Sequence, residues 1–163
     1  TRRCSTDTLP VLAALLLGLR LVFWYPHKAL RRLDIGIMYL GYLAITVQLL
    51  IEFLRLTLYP QWSVSLSMHV FTFGAMGLII PAMLIRITRG HTGRPVVFDT
   101  RDKRVLWGMM AAFVFRLIAP LFDPADYTRW ILLAALCWLA SFTLLAWRYL
   151  PFLFQARVDG KEY

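Results

Sequence analysis

The sequence predicts an all-α protein, a polytopic transmembrane helical bundle with about five spans in a single transmembrane domain. Three observations carry that prediction. Hydrophobic residues make up 60% of the 163 positions and the mean hydropathy is +0.62, more than a soluble domain of this size needs. The apolar residues fall in long runs, not in the alternating segments of about 9–11 residues that membrane strands use. The net charge of +9 is concentrated between the runs, where topology signals belong, so a membrane is the expected partner and nucleic acid is not.

The first span, 10–25, is short and carries Arg20 near its far end, where a long side chain can snorkel to the interface. The second, 33–58, is long enough to tilt. The third covers 65–87 and contains Pro81, which should kink it or release a carbonyl. The fourth is 105–122. The fifth, 128–150, has Trp130 and Trp147 at its ends as an interfacial aromatic belt. The start, TRRCSTDTLP, has no initiator Met and leads into a poor signal peptide, so the chain reads as a fragment of a larger polytopic protein. Cys4 and Cys137 lack any ligand spacing and read as unrelated free thiols.

Loop charge sets the expected orientation. One side receives Lys28, Arg31, Arg32, Arg86, Arg89, Arg94, Arg101, Lys103, Arg104, Arg148, Arg157 and Lys161, and the other only Arg2, Arg3 and Arg129. The richer side should be cytoplasmic, which puts the C-terminus and the Gly-His-Thr-Gly-Arg loop inside and His69 near the outer face.

Polar residues within the spans are the candidates for function. Asp34, Gly41, Ala44, Gln48, Glu52 and Arg55 share one face of the second span. Glu52 and Arg55, at i and i+3, can pair with each other, yet an intramembrane carboxylate is costly enough to point to function. Arg116 lies well inside the fourth span and needs a carboxylate, either Glu52 or a haem propionate. His27 sits in a basic loop and reads as interfacial. His69 and His91 frame the third span, and imidazole readily ligates haem iron or copper. Being 22 residues apart, they would stand about 33 Å apart on a continuous helix, so if both are ligands they serve different metals, or each pairs with a residue outside this fragment. Arg86, Arg89 and Arg94 around His91 would suit an anionic group such as a phosphate, a lipid headgroup or a propionate.

His69 with Gly74-Ala75-Met76-Gly77, and the run Arg86-Ile87-Thr88-Arg89-Gly90-His91-Thr92-Gly93-Arg94-Pro95, closely resemble the NnrS family. The resemblance extends over most of the chain, from Tyr39-Leu40-Gly41-Tyr42 onward. Members are haem- and copper-containing bacterial inner-membrane proteins linked to nitric-oxide stress and denitrification. They are larger, so this chain would be the C-terminal part, packed against the remaining N-terminal spans. The resemblance implies haem and copper, His69 and His91 as metal ligands, and Arg86, Arg94 and Arg116 as further cofactor-binding positions. Tyr39 stands where the family commonly has a histidine.

No nucleophile–base pair or two-carboxylate arrangement is present, so any catalysis would be the cofactor's redox chemistry, with an electron-transfer partner. Two other readings stay open: a transporter half in which Gln48, Glu52, Arg116 and Pro81 line a polar pathway, and an assembly subunit whose charges only pair.

Overall fold

The computed structural model describes the backbone of residues 2–160 and the side chains of residues 9–160. The side chains of Arg2, Arg3 and Cys4, and all of Lys161, lie outside the described residues. Among those described there is no strand. Helix α1 is Arg2–Phe23, α2 Pro26–Ala29 and α3 Leu33–Thr57. Helix α4, Val64–His69, runs through a π-helical segment, Val70–Met76, into α5, Gly77–His91. Helix α6, Thr100–Phe113, passes through a second π segment, Val114–Ile118, into α7, Ala119–Phe122, and α8 is Tyr127–Leu153.

Four helical runs, Leu33–Thr57, Val64–His91, Thr100–Phe122 and Tyr127–Leu153, are long and apolar enough to cross a membrane, and Leu9–Phe23 is a shorter apolar one. The shortest of the four has 23 residues and measures about 35 Å, against a hydrocarbon thickness of about 30 Å. Large apolar side chains such as Phe122, Trp147 and Phe154 are more than four-fifths exposed, a surface that lipid accepts and water does not. The chain is a multi-pass membrane protein. Its helices extend beyond the apolar runs because polar end residues continue them: α6 starts at Thr100 behind the cap Asp99, and α5 runs on to His91.

The contacts divide the chain into two compact units, Thr1–Gly77 and Leu78–Tyr163. In the first, α1 packs on α3, and α3 also packs on α4 and the π segment that follows it. Small residues let α1 and α3 approach, since a Cβ on Gly18 would lie 3.8 Å from Thr46 Cγ2. Leu21, Ala29 and Tyr39 form a buried cluster with Tyr42 against it, and the Tyr39 hydroxyl donates to the Leu21 carbonyl at 3.4 Å. Arg20 lies over the rings of Trp24 and Tyr42, 5.2 and 5.8 Å from their centroids, so aromatic faces receive its charge at the end of the short helix.

In the second unit α6 packs along α8. The crossing is closest at Gly108, where an added Cβ would collide with Ser141 Oγ and would also meet the Cys137 carbonyl at 3.8 Å. Ser141 is buried there, and Cys137 is a half-buried free thiol. Replacing Gly108 by Leu should therefore force the two helices apart and lower stability by about 1–3 kcal/mol. Gly108→Ala should cost less, because the Ser141 hydroxyl can rotate away. Thermal unfolding in detergent, followed by circular dichroism, compares the two variants.

Candidate functional site

His69 ends α4 and is half-buried. Its Nδ1 lies 2.6 Å from the Ser65 carbonyl oxygen and 3.1 Å from Ser65 Oγ. A carbonyl can only accept, so Nδ1 carries the proton and the lone pair of the neutral ring is on Nε2. Metal-ligating histidines are commonly held in this way, one nitrogen anchored to a carbonyl and the other presented as the donor. Phe73 stacks on the ring, with centroids 6.1 Å apart.

The π segment begins at the next residue. The Gly77 N–H donates to the Thr72 carbonyl, five residues back instead of four. Pro81 has no N–H to offer the Gly77 carbonyl, which loosens the ladder just downstream. Gly77 fits the widened turn, since a Cβ there would stand 3.4 Å from the Thr72 oxygen. Such π segments recur at functional sites.

On α3, the polar face beside this segment is locally satisfied. Gln48 donates to Ser67 at 3.2 Å. Arg55 grips Glu52 with two bonds, Nη2 to Oε1 at 2.5 Å and Nε to Oε2 at 3.2 Å. Arg32 holds Asp34 in a similar fork, at 3.3 and 3.0 Å. In the second unit Arg116 is half-buried on the other π segment, where the Ala119 N–H reaches the Val114 carbonyl and Pro120 withholds a donor from the Arg116 carbonyl. The Arg116 guanidinium donates to the Tyr127 hydroxyl at 3.3 Å.

The most densely bonded region is the end of the second unit formed by the C-terminus of α5, the N-terminus of α6 and the C-terminus of α8. Asp102 has no exposed surface. It accepts from the Tyr149 hydroxyl at 2.6 Å, from Arg89 Nη2 at 2.9 Å and from the Asp99 N–H at 3.2 Å. Arg148 Nη1 lies 3.4 Å away. Arg89 also donates through Nε to the Tyr149 hydroxyl at 3.0 Å and through Nη1 to the Pro95 carbonyl at 3.3 Å. Asp99 caps α6, accepting from the N–H groups of Arg101 and Asp102, and Arg148 clasps both its oxygens. The Arg148 guanidinium, aided by those backbone N–H groups against partial burial, holds the Asp99 carboxyl well below the usual carboxylate range.

The Gly-His-Thr-Gly-Arg turn is built on this base. Thr92 is buried and donates to the Thr88 carbonyl at 2.7 Å, while its own carbonyl accepts from Val158 at 3.2 Å. Gly93 has φ +73°, and a Cβ there would press on Asp159 at 2.7 Å, so glycine is required twice over. Arg94 lies 3.9 Å from the centroid of Phe152 and donates Nη2 to Gln155 at 2.8 Å. Its Nη1 is buried with no hydrogen-bond partner among the described residues. Arg86 lies over the Phe98 ring. His91 is exposed.

The family model described as NnrS protein matches residues 4–157. The chain belongs to the NnrS family. No curated protein and no solved structure matches it.

Within this NnrS chain, His69 belongs to the first unit, with Gln48, Glu52 and Arg55, whereas His91, Arg86, Arg94 and Arg116 belong to the second. Among the described residues no three His, Cys, Asp or Glu side chains gather into a metal-holding group. The residues that sequence reasoning missed are Asp99, Asp102 and Tyr149. A signal was present: Asp99-x-x-Asp102 has the spacing of a reciprocal helix cap, and both of its bonds are made.

Asp102→Ala takes from Arg89 its buried counter-charge and should cost about 3–5 kcal/mol. Tyr149→Phe, which deletes one hydroxyl, should cost about 1–2 kcal/mol. Chemical unfolding in detergent ranks them. Asp99→Asn keeps a capping side chain and removes only the charge. With its folded pKa lowered, Asp99 stabilises fully above the ordinary carboxylate pKa near 4, and this contribution is lost only as the pH falls below it. The deficit of Asp99→Asn should thus be the same at about pH 7 and pH 5, and shrink only in stronger acid. A melting series across pH reads this directly.

Proposed function

We propose that this chain is a haem- and copper-binding part of a bacterial inner-membrane protein that serves the nitric-oxide stress response or denitrification. Membership of the NnrS family supports the setting. The observation that carries the residue assignment is the seating of His69, whose Nδ1 is anchored to the Ser65 carbonyl at 2.6 Å so that Nε2 bears the lone pair.

The donor set favours haem at His69. A porphyrin brings its own four nitrogens, so one well-oriented imidazole is a sufficient protein ligand, whereas copper needs several protein donors. Haem supplies one-electron and diatomic-gas chemistry when bound. The chain's own part is to orient the imidazole through Ser65 and to admit close approach at Gly74 and Gly77. In the second unit, Arg116 and Arg94 offer guanidinium groups to an anionic ligand there, and Arg94 has a buried N–H in reserve. His91, exposed on its turn, would supply copper with one donor, and no described His, Cys, Asp or Glu group completes the set. The excess of basic residues in the loops beside the His91 turn supports a cytoplasmic turn with His69 towards the outer face.

The test is an absorption spectrum with metal analysis of the detergent-purified protein beside His69→Ala and His91→Ala. The parent should show a Soret band, and His69→Ala should lose it while its helical dichroism is retained. Copper should fall in His91→Ala with the Soret band intact. A parent with neither haem nor copper after expression in replete medium would sink the reading.

A further inference from the structure

We propose that the groove between α6 and α8 at the basic end of the second unit is a binding site for an anionic phospholipid. The groove has a volume of about 560 Å³ and opens on Arg101, Arg104 and Arg148, with Val105, Leu145 and Tyr149 as its floor. Floor residues Val105, Leu145 and Tyr149 are buried, so the space lies over a packed base. Trp147 and Phe152 supply aromatic walls.

Charge decides what the groove takes. Among the described residues Asp99 and Asp102 are the acids near it, and each is already matched: Asp102 by Arg89, Asp99 by Arg148. Arg101 and Arg104 are exposed and form no ion pair with any described residue. Being three residues apart on α6, they face the same side of the helix. Two uncompensated guanidiniums at the polar end of an apolar groove match a phosphodiester with acyl chains running down along Leu144 and Trp147. Trp147 is 84% exposed and also walls a second, wholly different hollow lined by Thr143, Ala146, Leu150 and Pro151. One chain can lie on each side of its indole, which suits a two-chain lipid.

Haem is a poorer fit for this space. No histidine, methionine or cysteine lines it, and the one tyrosine there has its hydroxyl engaged by Asp102 and Arg89. The site is therefore independent of the metal reading above.

The test places the purified protein in phosphatidylcholine vesicles containing a minor fraction of dibrominated phosphatidylglycerol or, in parallel, dibrominated phosphatidylcholine. Bromine quenches tryptophan at contact range, and the Trp147 signal is the difference between the parent and Trp147→Phe. Phosphatidylglycerol should be enriched about tenfold beside Trp147 over phosphatidylcholine. Arg101→Gln with Arg104→Gln should bring the two lipids level, and Arg101→Lys with Arg104→Lys should keep the preference. Equal quenching by the two lipids in the parent overturns the proposal without needing any variant to fold. A preference unchanged in the double Gln protein, with its helical dichroism intact, overturns it as well.

Discussion

A carboxylate with no exposed surface must be met on every side, and Asp102 is met from three helices. Arg89 reaches it from α5, Tyr149 and Arg148 from α8, and the Asp99 N–H from its own helix cap. In a medium without water, leaving any of these groups alone costs several kcal/mol. The partners cannot drift independently, so the ends of α5, α6 and α8 are fixed against one another within their unit. The Gly-His-Thr-Gly-Arg turn takes its shape from this anchoring. Arg89 also holds the Pro95 carbonyl, closing the turn from behind, and His91 is carried on a framed loop instead of a loose one.

The two π segments act differently. Each shifts the hydrogen-bond register by one residue within a membrane-crossing helix, and each lies upstream of a proline that removes a donor. One follows His69 and the other holds Arg116. A widened turn changes which face the following side chains occupy and leaves carbonyls less tightly bound. His69 and Arg116 thus sit where the helix departs from regular geometry.

The all-helical class was legible because only helices and closed barrels satisfy the backbone in lipid, and these apolar runs are too long and too little alternating for barrel strands. The Glu52–Arg55 pair was legible too, since i and i+3 spacing brings the groups together on any helix. Both π segments escaped, because no residue type encodes them; Pro81 and Pro120 were the only hints, and a proline predicts a kink equally well. Asp99 and Asp102 stand out locally only by their capping spacing. Their importance depends on Arg148 and Tyr149, some 47 to 49 residues later, and pairing at that range leaves no local pattern. Of the two glycines in the turn at 90–94, only Gly93 is in the left-handed region, and a side chain there would meet Asp159.

The order of the Asp102 contacts along the chain bears on how such a protein is made. Arg89 is 13 residues before Asp102, whereas Tyr149 is 47 after it. During synthesis, the acid emerges with a cation already behind it, so the nascent hairpin can carry a neutral pair to the membrane before α8 exists. The last helix then arrives with Arg148 and Tyr149 to complete a cluster that is never obliged to pass through a bare buried charge.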